Sequence, residues 1–321
     1  MENPTWMEGW RFERYGGPEV LSRVRMLRPR PGPGEVLVRV RASAIHPSDW
    51  KNLAGRFGTR TPRIPGRDFA GTIVAGEGRE GEEVWGSGPG FGVERDGAHR
   101  EYLVIPSRWV GPKPTNLRME EAAAIGVPYL TAWQALVVSG RIERGETLLV
   151  IGSTGAVGQA ATQIAHAREA RVLGAARREE NPSGADAVLL TTIGSWEEEV
   201  LAMTGGKGAD LVLDAVGGAL FPRGLRALRR RGRYIAIASD PPVVCFNLVD
   251  FYHREQILTG VDSMSLCGEA IVEILRELRP GFEAGVFRPP PIRLWPFAQA
   301  PEAYRAALPG QSRRKQVLVM E

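Results

Sequence analysis

The sequence predicts an α/β protein with a β-rich unit and a doubly wound parallel sheet, and three observations carry that prediction. Apolar and polar residues alternate from Glu35 to Ile45, the period of a strand with one buried face. Short apolar runs and helix-like segments then alternate from Thr147 to Ala238, as buried parallel strands and their crossovers do. Between the first of those strands and its helix lies the turn G-S-T-G-A-V-G. With 321 residues, 43% of them hydrophobic and 24% charged, the chain has the apolar material for one large or two ordinary domains and lies far from a disordered composition.

Taken in order, Met1 to Trp10 carry Glu2 and Glu8 without an apolar core, which argues against a signal peptide, and no apolar stretch approaches membrane-spanning length. After Glu35–Ile45, strands are predicted at Phe69–Val74, Glu83–Gly86 and Tyr102–Ile105, each bounded by Gly or Pro. From Met119 the sequence becomes helix-favouring, with a break expected at Pro128 and a domain boundary near residue 115. Strands follow at Thr147–Ile151, Arg171–Ala175, Leu211–Asp214 and Arg233–Ala238, with helices at Ala156–Arg168 and Phe221–Leu228. Past Gly281, R-P-P-P-I-R-L-W-P-F forbids helix and reads as an edge strand or extended connection. Ala298–Leu308 is again helical, and Arg313–Met320 closes as a strand that returns to the first domain. The domains are therefore drawn as 1–115 with 281–321, and 116–280.

Lys and Arg total 41 against 37 Asp and Glu, and no basic run is interleaved with aromatics, so nucleic acid is not the expected partner. Two cysteines, Cys245 and Cys267, supply neither a disulfide framework nor a four-cysteine zinc site. They are expected to be small core residues in a reduced cytoplasmic protein.

The glycine turn has the strand, tight turn and helix order of a pyrophosphate site. Gly152, Gly155 and Gly158 permit close backbone approach, Ser153 and Thr154 offer hydroxyls, and the helix opening at Ala156 and Val157 presents free N–H groups. Its spacing is G-x-x-G-x-x-G rather than G-x-G-x-x-G, and such turns also occur as plain loops. At the end of the next strand, Ala176, Arg177 and Arg178 stand where an acid would bind a ribose diol. A guanidinium there pairs with a 2′-phosphate and favours NADPH; the alternative is a solvated loop beside Glu179 and Glu180.

Several segments, in order, carry a resemblance: G-P-E-V-L, P-G-P-G-E-V-L-V-R-V-R-A-S-A-I-H-P-S-D-W-K, I-P-G-R-D-F-A-G, V-P-Y-L-T-A-W-Q-A-L, the glycine turn, D-L-V-L-D-A-V-G-G and R-K-Q-V-L-V. Across nearly the whole chain the sequence resembles the quinone oxidoreductase (zeta-crystallin-like) branch of the medium-chain dehydrogenase/reductases. The resemblance implies a GroES-like catalytic domain, a Rossmann domain, an active-site cleft between them and a homodimer. Zinc-containing relatives place a cysteine where this chain has His46, a histidine where it has Arg67, and a second cysteine near Val127 and Pro128. One histidine beside an arginine lacks the three protein ligands of a catalytic zinc, so no metal is expected.

Without a metal to polarise a carbonyl, the resemblance implies hydride transfer to an already conjugated acceptor, a quinone or an α,β-unsaturated carbonyl. Enoyl-reductase relatives carry a tyrosine where this chain has Phe57, which leaves Tyr129 and His46 as candidate proton donors. His46 is read as facing the nicotinamide ribose or the substrate, or else as satisfying the turn at Pro47 and Ser48; Asp49 is read as capping that loop. Tyr129 lines the cleft or belongs to the core, and Thr131 touches the nicotinamide side or caps a helix. Val216, Gly217, Ala238 and Ser239 follow strand ends where such sheets bind ligands, with Asp214 capping a turn. Lys315 reaches a cofactor phosphate or is a surface cation. The alternatives to a quinone or enone reductase are a tailoring enoyl reductase on a biosynthetic intermediate, with a pocket formed partly by Trp50, Phe57, Tyr129 and 246–252, and a cofactor-binding protein without turnover.

Overall fold

A computed structural model describes residues 5–321. The chain forms two compact units, one of residues up to Val127 together with Met264–Glu321, the other Pro128–Ser263. In chain order the first unit opens with the antiparallel hairpin β1 (Trp6–Phe12) and β2 (Leu21–Leu27). There follow β3 (Glu35–Ala44), α1 (Pro47–Leu53), β4 (Asp68–Ala75), β5 (Glu83–Ser87), β6 (Tyr102–Pro106), β7 (Gly111–Pro112) and α2 (Met119–Ala122). Helix α3 (Gly126–Trp133) leads into the second unit, built from β8 (Thr147–Ile151), α4 (Ala156–Ala167), β9 (Arg171–Ala176), β10 (Ala187–Leu190), α5 (Trp196–Met203), β11 (Ala209–Asp214), α6 (Phe221–Ala227), β12 (Leu228–Ala236), α7 (Leu248–His253) and β13 (Ile257–Gly260). The chain then completes the first unit with α8 (Gly268–Glu283), β14 (Ile292–Pro296), α9 (Ala300–Ala306) and β15 (Lys315–Val319).

In the first unit the sheet runs β14-β15-β3-β4-β5-β7, with β6 also paired to β3. β3 is its axis because its alternate residues Val36, Val38 and Val40 are fully buried, among Phe12, Ile73, Leu103, Tyr304 and Leu318. The Pro-rich segment becomes the edge strand β14, where a missing N–H costs no ladder bond, and β15 bridges it to β3. In the second unit the order is β10-β9-β8-β11-β12-β13, and every pairing is parallel. That is a doubly wound sheet: the chain starts at the centre, builds outward to one edge and then returns to build to the other.

Several expectations need correction. The units divide at residues 127/128 and 263/264 rather than near 115 and 281, because α8 belongs to the first unit. Its apolar face, Ile271, Leu275, Leu278 and Phe282, is buried, with Phe282 edge-on to Trp85 at 6.0 Å. Pro128 does not break the helical run; it sits in the first turn of α3, where its missing N–H is tolerated, and the interruption falls at residues 123–125. The run Met119–Ser139 is in fact long and apolar enough to cross a membrane by length and composition, but most of it is buried inside the protein, as in a core helix. Cys245 and Cys267 are exposed free thiols, not core, since one lies in the loop before α7 and the other caps α8. The N-terminal reading rests partly on residues 1–4, which lie outside the described residues.

Candidate functional site

In the second unit the glycine turn joins β8 to α4. Gly152 adopts φ +88°, and a Cβ on Gly158 would lie 2.4 Å from the Gly152 carbonyl oxygen. The loop therefore folds back against the helix only with glycine at 158. Gly155 is the N-cap of α4, so the N–H groups of Ala156, Val157 and Gly158 have no intrahelical acceptor and face outward with the positive end of the helix dipole. Thr154 and Gly155 are exposed, while Ser153 is fully buried with its hydroxyl against Gly174 and no hydrogen-bond partner. The turn thus presents backbone donors at the start of α4, and the Ser153 side chain is buried away from them. Arg177 and Arg178 follow β9 directly and are both exposed.

A second cluster lies wholly in the first unit. β3 ends at Ala44 and the chain turns through His46 into α1, where the His46 N–H donates to Asp49 Oδ2 at 2.6 Å. The turn drives the His46 imidazole inward, to 1% exposure. Lys315, the first residue of β15, donates from Nζ to His46 Nδ1 at 2.6 Å. On the other side, His46 Nε2 stands 2.8 Å from Asp68 Oδ2, at ion-pair distance but outside hydrogen-bond alignment. Asp68 is held in turn by the Val127 N–H at 2.7 Å, and Ser43 donates to its backbone oxygen at 2.6 Å. Gly126 makes that approach possible, since a Cβ there would meet Asp68 Oδ1 at 2.6 Å.

Burial lowers the pKa of His46, and the Lys315 charge pushes the same way against Asp68 and Asp49, so the ring is neutral at neutral pH. Burial by itself would raise Asp68; the His46 contact and the Val127 N–H outweigh it and keep the carboxylate ionised. With His46 uncharged, the Val127 donor and the Lys315 cation carry that stabilisation. Burial also brings the Lys315 amine down to about 8, with Asp68 and Asp49 opposing and Arg67 assisting.

Two family models match parts of the chain: the alcohol dehydrogenase GroES-like domain over residues 32–115 and the zinc-binding dehydrogenase model over 156–278. A quinone oxidoreductase of Lama guanicoe is 32% identical over 311 residues, 93% of this chain and 92% of that one. The chain belongs to the quinone oxidoreductase branch of the medium-chain dehydrogenase/reductases. A zinc-type alcohol dehydrogenase-like protein of Schizosaccharomyces pombe is 34% identical over 267 residues, 81% of this chain and 79% of that one. The solved structure of a mycobacterial protein complexed with NADPH superposes with a TM-score of 0.86 at 25% identity, covering 98% of this chain and 100% of that one. This medium-chain dehydrogenase/reductase is accordingly an oxidoreductase of a nicotinamide-using family, with a GroES-like domain and a Rossmann-like parallel-sheet domain.

The remaining predicted residues of this oxidoreductase are placed as follows. Asp49 caps its loop as expected, and Asp214 accepts from the Val216 and Gly217 N–H groups at 2.9 and 2.8 Å. Ser239 packs against Gly217, with Ala238 beside it, and its hydroxyl donates to the Pro241 carbonyl. The first of these turns follows the end of β11, which pairs with β8 and its glycine turn; the second follows β12, one strand further on. Tyr129 is 1% exposed and Thr131 donates to Ser263 Oγ at 2.9 Å, so both are tied into the second unit. Of the two readings of Lys315, phosphate contact or surface cation, the second does not hold: the residue is half-buried and its ammonium is bound to His46. Asp68 was not singled out by sequence, although I-P-G-R-D-F-A-G holds the one acid of that segment beside Arg67.

Proposed function

We propose that this chain is an NADPH-dependent, zinc-independent reductase of quinones or activated α,β-unsaturated carbonyls. The observation that carries this reading is the engagement of His46. In the position of a zinc-ligating cysteine, one ring nitrogen accepts from the Lys315 ammonium and the other faces Asp68, so no lone pair is offered to a metal. Arg67 occupies the position of the second ligand, and Val127 and Pro128 fill the region of the third. NADPH, when bound, supplies hydride.

The N–H groups at Ala156, Val157 and Gly158 hold the pyrophosphate, and Arg177 or Arg178 pairs with the 2′-phosphate. The turns at Val216–Gly217 and Ala238–Ser239, with Thr131, line the nicotinamide end. A homodimer is part of the same reading, supported by the open edge strand β13, whose Ile257 and Leu258 are 52% and 40% exposed. Two exposed, unpaired thiols suit a reducing compartment such as the cytoplasm.

The test is NADPH consumption against a panel of quinones, enones and saturated alcohols and ketones, with and without EDTA, alongside metal analysis. Turnover confined to the conjugated acceptors and indifferent to EDTA is expected. Stoichiometric zinc, or activity only on simple alcohols, would overturn the reading.

A further inference from the structure

We infer that Tyr234 is a positioning residue of the cofactor site, acting through Asp214 to set the Val216–Gly217 turn against the glycine turn; the inference rests on the reading above that this turn takes the nicotinamide end of NADPH. All of its parts belong to the second unit. Tyr234 pairs in register with Val212, two residues before Asp214, so its ring and the Asp214 carboxylate share one face of the sheet. The Tyr234 hydroxyl donates to Asp214 Oδ2 at 2.7 Å, while Oδ1 takes the Val216 and Gly217 N–H groups at 2.9 and 2.8 Å. Both side chains are fully buried. Burial and the Asp214 charge hold the phenol far above its ordinary pKa, so it stays a donor across the working pH range.

The turn so held touches a neighbour on each side. Val216 lies over the first glycine of the glycine turn, since a Cβ on Gly152 would stand 2.9 Å from Val216 Cγ2, yet it keeps 40% exposure. Gly217, at φ +71°, packs on Ser239, whose Cα a Cβ there would approach to 2.6 Å, and the Gly218 N–H donates to Ser239 Oγ at 3.2 Å. One carboxylate therefore fixes the turn that links the loops after β8 and β12. The Tyr234 ring has a built seat. Phe221 tilts against it with centroids 4.8 Å apart, and a Cβ on Gly224 would meet the Tyr234 hydroxyl at 2.9 Å, so α6 approaches β12 only with glycine there. A phenylalanine would fill that apolar seat equally. What the hydroxyl adds is the bond to Asp214; among the described residues Oδ2 has no other donor and without it would be buried unpaired.

The test compares NADPH with adenosine 2′,5′-bisphosphate, which carries the adenine end and no nicotinamide, each titrated calorimetrically into the intact protein. Tyr234→Phe should raise the Kd for NADPH about fivefold or more and change that for the bisphosphate less than about twofold. Asp214→Asn keeps an oxygen for the Val216 and Gly217 N–H groups but sets an amide donor opposite the Tyr234 hydroxyl, and it should show the same selectivity. Because both changes act through one bond, the loss of NADPH affinity in the double variant should fall well short of the product of the single losses. Val200→Ala, a core change in α5 that touches neither turn, should leave both constants within about twofold. An unchanged Kd for NADPH in Tyr234→Phe, an equal loss of both ligands, a loss matched by Val200→Ala, or independent losses in the double variant overturns the positioning role alone. A wild type that binds no NADPH overturns the reductase reading and this role together.

Discussion

At the scale of single residues, buried histidines set the acid response. His99 is fully buried, with Nδ1 3.1 Å from the Tyr304 hydroxyl, and burial holds its pKa at about 4. Its folded-state pKa is below the unfolded value, so between pH 6.5 and 4 the unfolded chain binds more protons. Stability therefore falls as pH drops through that window and has lost the full contribution below it. The size is on the order of 3 kcal/mol, and His99→Gln should flatten the urea-denaturation free energy against pH by roughly that amount. Asp49 and Asp214 were legible from sequence because a cap is a local device that binds N–H groups two or three residues away. Asp68 was not, nor was the contact that Lys315 makes: the partner of both is His46, 22 and 269 positions away, and no local pattern encodes that meeting.

Elements show the same division. β3, β4, β8, β9 and β11 were readable because alternation or a short apolar run is the signature of their burial. The β1–β2 hairpin, α5, α8 and the edge strand β13 were not assigned. β13 shows the reason, with exposed Ile257 and Leu258 where an interior strand would bury them. α8 draws its stability from packing: Leu278 is fully buried, and Leu278→Ala should cost about 2–5 kcal/mol by urea denaturation. The β8–turn–α4 element depends on backbone space. Gly158→Val would push a side chain into the Gly152 carbonyl and should weaken NADPH binding by more than about tenfold, measured by fluorescence titration.

For the whole molecule, a ligand that binds only the folded state stabilises by mass action, about 2.7 kcal/mol at one hundred times its Kd. NADPH should therefore raise the melting temperature more than equal NADH, and the double change Arg177→Ala, Arg178→Ala should abolish that difference while leaving the apo melting temperature within about a degree, because both side chains are exposed. Equal loss for both cofactors would remove the arginines from the 2′-phosphate. The sequence by itself determined the two architectures, the glycine cradle between β8 and α4, and the family, because periodicity, turn chemistry and ordered motifs are written along the chain. Only the tertiary structure decided where the units divide, that α8 belongs to the first, and that Lys315 meets His46 and Asp68. Those depend on long-range burial, which brings distant residues into a low-dielectric interior and there fixes their partners and protonation.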